Sequence, residues 1–205
     1  MPLRGKTKRE VVLEFRHAEI LEAARKVFAE KGYNSASVED IAHEAGIAKG
    51  TLYLYYPSKQ GIYWEALKSG LIALCGELEE KVQAERTCEA KVRAFIAAKL
   101  TWFEKNQDLF KIYYAEYANA VSQSPYLRKE FEGFHQRQLK LLINALSEGI
   151  HQEVIRGLPA EAAALAILDV ARGIITQRLL GWSKTRLQED IDFLFDLTWK
   201  GLACR

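Results

Sequence analysis

Between residues 37 and 59 the chain gathers groups of the kind that seat on phosphates and base edges: Ser37, Lys49, Gly50, Thr51, Tyr53, Tyr55 and Lys59, with Leu54 among them. Hydroxyl and ammonium donors suit phosphate oxygens, and lysine and tyrosine also reach base edges in a major groove. A leucine there can only touch a thymine methyl. Elsewhere the sequence holds no Ser-His-Asp set, phosphate loop or nucleotide fingerprint, so no enzymatic chemistry is indicated.

The elements that must hold these groups are written around them. Ser37 is placed to cap a helix, with Asp40 three residues on as a shorter capping-box partner. Val38, Ile41, Ala42 and Ala45 fall on one helical face and mark it as packed. Gly46 stands where the chain must reverse, and Ile47 is the next core anchor. A second helix over about 48–55 turns Leu52 and Tyr56 inward, leaving Lys49, Gly50, Thr51, Tyr53 and Tyr55 outward. Gly50 costs that helix about 1 kcal/mol of propensity, which makes sense where a base or phosphate comes close. Pro57 ends the helix, and Ser58 caps the next, putting Lys59 at a positive helix terminus. Two anchored helices, a turn glycine and a capped third helix make a helix-turn-helix. The competing reading is an ordinary helical hairpin with surface tyrosines.

This stretch resembles the TetR family of bacterial one-component transcriptional regulators. The resemblance rests on Ser-Val-x-x-Ile-Ala-x-x-Ala-Gly-Ile at 37–47, on Lys-Gly-Thr-Leu-Tyr-x-Tyr-Tyr at 49–56, and on Lys59. It runs from the start of the chain to about Glu65. It implies that Ser37, Thr51, Tyr55 and Lys59 bind phosphates, while Lys49, Gly50 and Tyr53 lie against bases. Leu54 departs from the polar or aromatic residue common there, which leaves the base preference at that point open.

Composition bounds the rest. The 205 residues are 49% hydrophobic and carry a net charge of only +2, against a blanket nucleic-acid binder. Residues 1–70 hold 11 Lys/Arg against 9 Asp/Glu, and residues 71–205 hold 18 against 18. Arg4, Lys6, Lys8 and Arg9 form a basic arm suited to a minor groove or phosphates, or equally a solvated tail. Cys75, Cys88 and Cys204 have no metal or disulfide spacing, which fits a reducing cytoplasm. Neither a signal peptide nor a membrane-spanning run is expected.

The whole chain reads as all-α, with about nine helices. Residues 1–70 are expected as the DNA-binding domain and 71–205 as an effector-binding and dimerisation domain. Middle helices rich in Trp102, Phe103, Phe110, Tyr113, Tyr114, Tyr117, Phe131 and Phe134 suit either a pocket for an apolar effector or plain core. Arg172 either meets a ligand anion or pairs with Asp169 at i,i+3. The last two helices are apolar around most of their circumference, which calls for cover on two sides. One face holds Ile191, Leu194, Phe195, Thr198 and Leu202, with Ile167 and Ile174 on the preceding helix; Phe193, Leu197 and Trp199 extend a second. The first set is expected to form a homodimer interface. Glu132-x-x-His135 and Glu148-x-x-His151 each copy half of a di-iron motif, but sixteen helical residues separate them by about 24 Å. They read as surface histidines, and neither metal nor cofactor is expected.

These observations point to a cytoplasmic homodimer that represses at double-stranded operator DNA until a small apolar, aromatic or acyl effector releases it. The alternatives are an all-α ligand-binding protein without DNA reading, and an all-α enzyme.

Overall fold

The computed structural model describes residues 7–123 and 125–204, with side chains at all of these except 8, 9, 116–123, 125–128 and 130. Among the described residues there are nine α-helices: α1 Lys8–Ser35, α2 Val38–Glu44, α3 Lys49–Tyr55, α4 Lys59–Gln83, α5 Cys88–Lys105, α6 Gln107–Gln123, α7 Pro125–His151, α8 Ala160–Leu179 and α9 Leu187–Leu202. The described β structure is one isolated antiparallel bridge, Ile155 to Ala203. No helix among the described residues is long and apolar enough to cross a membrane.

Local chemistry sets the boundaries. Thr7 caps α1 in a reciprocal box with Glu10, and Thr87 Oγ1 accepts from Ala90 N at 3.2 Å to start α5. Regular helix in α1 breaks at Gly32, whose φ of 73° lies in the left-handed region that glycine enters without a Cβ penalty. Pro159 is the N-cap of α8.

The chain divides into two compact units, Met1–Gly70 with Asp108–Ala115, and Leu71–Gln107 with Glu116–Arg205. A single boundary near residue 70 does not describe this division, because the first half of α6 joins the first unit. Gly70 shows why the segment fits there: a Cβ on it would lie 2.5 Å from Leu109 Cδ2. The missing side chain lets α4 and α6 meet.

In the first unit Ile20, Ala24, Val27 and Phe28 of α1 are buried, as are Ile41, Ala42, Leu52 and Ile62. In the second unit α5 is the hub, packed against α7, α8 and α9. Its row of Val92, Phe95, Ile96, Leu100 and Phe103 is fully buried.

This hub takes up most of the expected dimer face. Ile191, Leu194, Phe195 and Leu202 are 0–7% exposed, and Ile167 is 2% exposed; they belong to the chain's own core. The Arg93 guanidinium lies 4.9 Å from the centre of the Phe195 ring, and Arg93 also pairs with Asp192. Thr198 Oγ1 donates to Leu194 O at 2.8 Å, and Ile174 is half-buried. The stripe left outward is the other one, with Val170, Trp182, Phe193 and Leu197 at 38%, 70%, 63% and 55% exposure. Periodicity shows two apolar stripes on α9 but not which one the aromatic row of α5 claims.

An ion-pair network holds the α8–α9 connection beside that stripe. Arg178 Nη1 donates to Asp190 Oδ2 at 2.6 Å and to Thr185 O at 3.0 Å, and its Nε reaches Glu104 at 3.4 Å.

Candidate nucleic-acid interface

The reader is assembled from α1 to the start of α4. Ser37 caps α2: its Oγ accepts from Asp40 N at 3.1 Å and donates to Asp40 Oδ2 at 2.8 Å, while Ser37 N donates to the same oxygen at 2.9 Å. Lys31 Nζ stands 2.9 Å from the other carboxylate oxygen. The Lys31 contact, then the Ser37 hydrogen bonds, hold the Asp40 carboxyl down at about 2. Ser37 is exposed, yet its hydroxyl already serves the cap.

Gly46 makes the turn with φ 64°, and Ile47 N closes it onto Ala42 O at 2.9 Å. Leu52 on α3 is 0% exposed and Tyr56 is 7% exposed, so one face of α3 is anchored. The opposite face carries the expected residues. Lys49, Gly50, Thr51, Tyr53 and Leu54 are all exposed, Leu54 to 85%. A Cβ on Gly50 would meet nothing within 4 Å, so the chain's own packing does not require glycine there. Lys49 Nζ is 3.1 Å from Glu39 Oε2 in a solvent-facing pair, of a kind that contributes little to stability and opens readily.

Tyr55 is half-buried. Its ring meets the edge of His17 at 5.0 Å, and His17 Nδ1 is 2.8 Å from Tyr56 Oη. Burial, with Glu65 nearby, pushes the Tyr56 phenol up to about 12. His17 therefore braces the end of α3 from α1. It reads from sequence as an ordinary helix residue, and a contact between α1 and the end of α3 has no local signal.

Lys59 is placed differently from the expectation. Its ammonium donates to Tyr33 O at 2.7 Å, Ala36 O at 2.8 Å and Asn34 O at 3.4 Å, and it sits 4.5 Å from the centre of the Tyr33 ring. The backbone released by the break at Gly32 leaves carbonyls facing it, and a cation satisfies them. The side chain ties α1 to α4 rather than projecting toward a phosphate. Ser58 does cap α4, accepting from Gly61 N at 3.0 Å. Of the basic arm, Arg4 and Lys6 lie outside the described residues, as do the side chains of Lys8 and Arg9.

The residues expected at an effector pocket divide between the units. Phe103 and Phe131 are buried in the second, with Trp102 and Phe134 half-buried. Phe110, Tyr113 and Tyr114 belong to the first, where Tyr113 and Tyr114 meet edge to face at 5.4 Å. The side chain of Tyr117 lies outside the described residues. Arg172 Nη2 donates to Asp169 Oδ1 at 2.6 Å, the i,i+3 pairing.

The profile of the family described as bacterial regulatory proteins, tetR family, matches residues 20–66, the span from α1 to the start of α4. The Bacillus subtilis fatty acid metabolism regulator protein is 27% identical over 168 residues, 82% of this chain and 83% of that protein. The HTH-type transcriptional repressor KstR2 of Mycobacterium tuberculosis is 28% identical over 141 residues, 69% of this chain and 70% of that protein. The crystal structure of FadR from Bacillus subtilis in complex with stearoyl-CoA superposes with a TM-score of 0.77 at 25% identity, covering 90% of this chain and 98% of that one. Residues 20–66 form the DNA-binding domain described for the tetR family of bacterial regulatory proteins, and the chain is a helix-turn-helix transcriptional regulator.

Proposed function

We propose that the chain is a homodimeric repressor whose α3 enters the major groove of double-stranded operator DNA, and that a small apolar or acyl-bearing effector releases it in the cytoplasm. The outward face of α3 carries this reading. A seven-residue helix anchored by Leu52 leaves Tyr53 and a leucine at 85% exposure in solvent, a poor arrangement for a chain with nothing to dock against. Lys49, Gly50, Tyr53 and Leu54 are assigned to base edges, and Ser37, Thr51 and Tyr55 to phosphates. Lys59 is assigned to holding α1 against α4, so that Ser58 and the amino-terminal end of α4 keep their place.

Dimerisation is assigned to the outward stripe of Val170, Phe193 and Leu197, with Trp182 beside it. Two copies must set their α3 helices about 34–36 Å apart, or a multiple, to meet successive major grooves. The effector class is supported by the relatives, one named for fatty acid metabolism and one crystallised with stearoyl-CoA. Release then follows from differential affinity: an effector that favours a conformer with mis-spaced α3 helices weakens DNA binding by that difference and no more.

Gel shifts against the chain's own upstream promoter DNA test the first half. Retardation that falls steeply with salt and is relieved by an acyl compound is the expected result. Absence of any specific complex at low salt would leave a ligand-binding protein without DNA reading.

A further inference from the structure

One buried charge in the second unit has no acidic partner among the described residues. Lys99, on α5, is 8% exposed, and its ammonium donates to Gln138 Oε1 of α7 at 2.5 Å. Gln138 is equally buried, and its amide nitrogen reaches Phe134 O at 3.4 Å. The oxygen facing the ammonium is thus a neutral carboxamide. One helical turn away on either side of Lys99 stand Phe95 and Phe103, both 0% exposed. A cation in such a layer is costly unless an anion joins it.

The neighbouring charges do not supply one. From α4, Cys75 is held as a thiol, its pKa raised by burial, and Glu79 is taken by Arg137 in two hydrogen bonds of 2.5 and 2.7 Å. From α8, Asp169 is largely exposed and paired with Arg172. His135 of α7 is half-buried, and its pKa is lowered first by burial, then by Arg172 and Lys99. Burial drives the Lys99 ammonium down to about 8, with Cys75 opposing and Arg172 adding to the effect. The group therefore keeps its proton near neutrality at a cost. Arg172 and His135, both half-buried, are near enough for their charges to act on Lys99 or to be acted on by it.

We infer that Lys99, with Gln138 beside it and Arg172 and His135 near it, receives the carboxylate of an apolar monocarboxylic acid. This rests on the effector reading above and narrows its class. The carboxylate would take the ammonium's remaining donors as charge-assisted hydrogen bonds, and the aromatic layer would take the adjoining methylenes. A single negative charge balances the Lys99 ammonium, whereas a phosphate monoester carries more.

The test is calorimetric titration of the full chain with dodecanoate, methyl dodecanoate and dodecyl phosphate. Dodecanoate should bind at least about tenfold more tightly than its ester, and the preference should vanish in Lys99→Met. A second measurement is independent of any ligand. Lys99→Met combined with Gln138→Leu removes both buried polar groups, and in the absence of ligand it should melt at or above the wild-type temperature. A lower melting temperature would make the pair a structural tie and overturn the assignment. So would equal binding of acid and ester, or tighter binding of the phosphate, although either would leave the apolar-effector reading standing. If no probe binds while operator affinity is intact, the effector reading falls and this inference with it.

Discussion

Helices α3 and α9 both carry apolar residues on more than one side, and they dispose of them by different rules. In α3, Leu52 is fully covered while Tyr53 and Leu54 are left out at 44% and 85%. In α9, Phe195 is 6% exposed and Phe193, two residues away, is 63% exposed. The inward side of α3 is decided within a few residues by Gly46, Ile47 and Pro57, which fix how the helix enters and leaves. Gly181 and the Arg178 network fix where α9 begins, but not which of its sides turns inward. Its inward side is decided by α5, far earlier in the chain.

The sharpest way to break that contrast lies on α9. Phe195→Ala should cost about 3–5 kcal/mol, as for other buried phenylalanines, and Phe195→Glu should leave little folded protein at all. Phe193→Glu should keep the helical circular dichroism and the melting temperature of the folded chain while light scattering reports a monomer. A folded monomer from Phe195→Glu, with Phe193→Glu still dimeric, would reverse the assignment of the two stripes.

Next in size is Lys59, which joins α1 to the helix after the reader. Its ammonium donates to three backbone carbonyls, so Lys59→Ala should lower stability by about 1.5–3 kcal/mol. The slope of log affinity against log salt should stay unchanged. A slope reduced by about one, with stability intact, would return Lys59 to the phosphate contacts.

Legibility in the sequence follows the range of the forces involved. The caps at Ser37 and Ser58, the reversal at Gly46 and the inward pair Leu52 and Tyr56 depend on close neighbours along the chain, and their positions could be read directly. Helix existence was legible for the same reason, since proline, glycine and capping residues punctuate the chain. The aim of Lys59 was not, because its acceptors, the carbonyls of Tyr33, Asn34 and Ala36, belong to the backbone that follows the distant break at Gly32. The brace from His17 to Tyr56 and the grouping of residues 108–115 with the first unit are likewise long-range. So is the pairing of Lys99 on α5 with Gln138 on α7. The aromatic middle helices show the limit most plainly. Phe103 and Phe131 are buried as ordinary core would be, and the pattern alone does not separate core from pocket.

On the reader, Tyr53→Ala and Lys49→Ala should each change preference at one base pair, by about 1–3 kcal/mol. Thr51→Val should weaken all sequences alike. Binding selections from a randomised half-site would read both. An unchanged preference in Tyr53→Ala and Lys49→Ala would mean that α3 lies along the backbone rather than in the groove.

The smallest expected effect isolates the local rule itself. Asp40 carries the cap of α2 through Lys31 and Ser37, and its carboxyl is held at about 2 rather than the ordinary 3.8. A depressed value means that the folded state favours the carboxylate. The contribution is therefore complete above pH 3.8, where the carboxylate is ionised folded or unfolded, and drains away as pH falls from 3.8 toward 2. Asp40→Asn removes the charge at every pH. The two proteins should differ in melting temperature by a constant amount from pH 7 to pH 5 and converge between pH 4 and pH 2. Asp192 on α9 is also held below its usual range, by Gln188 and then Arg93, so both helices contribute to acid lability and melting alone does not separate them. Amide exchange does. In Asp40→Asn, faster exchange should be confined to the first turn of α2, because that cap is closed by Lys31 and Ser37 close by, whereas Asp192→Asn should loosen the distant contact between α5 and α9. Spread of the Asp40→Asn effect into α3 would show that the reader is a single cooperative piece, with its cap coupled to its DNA-facing helix.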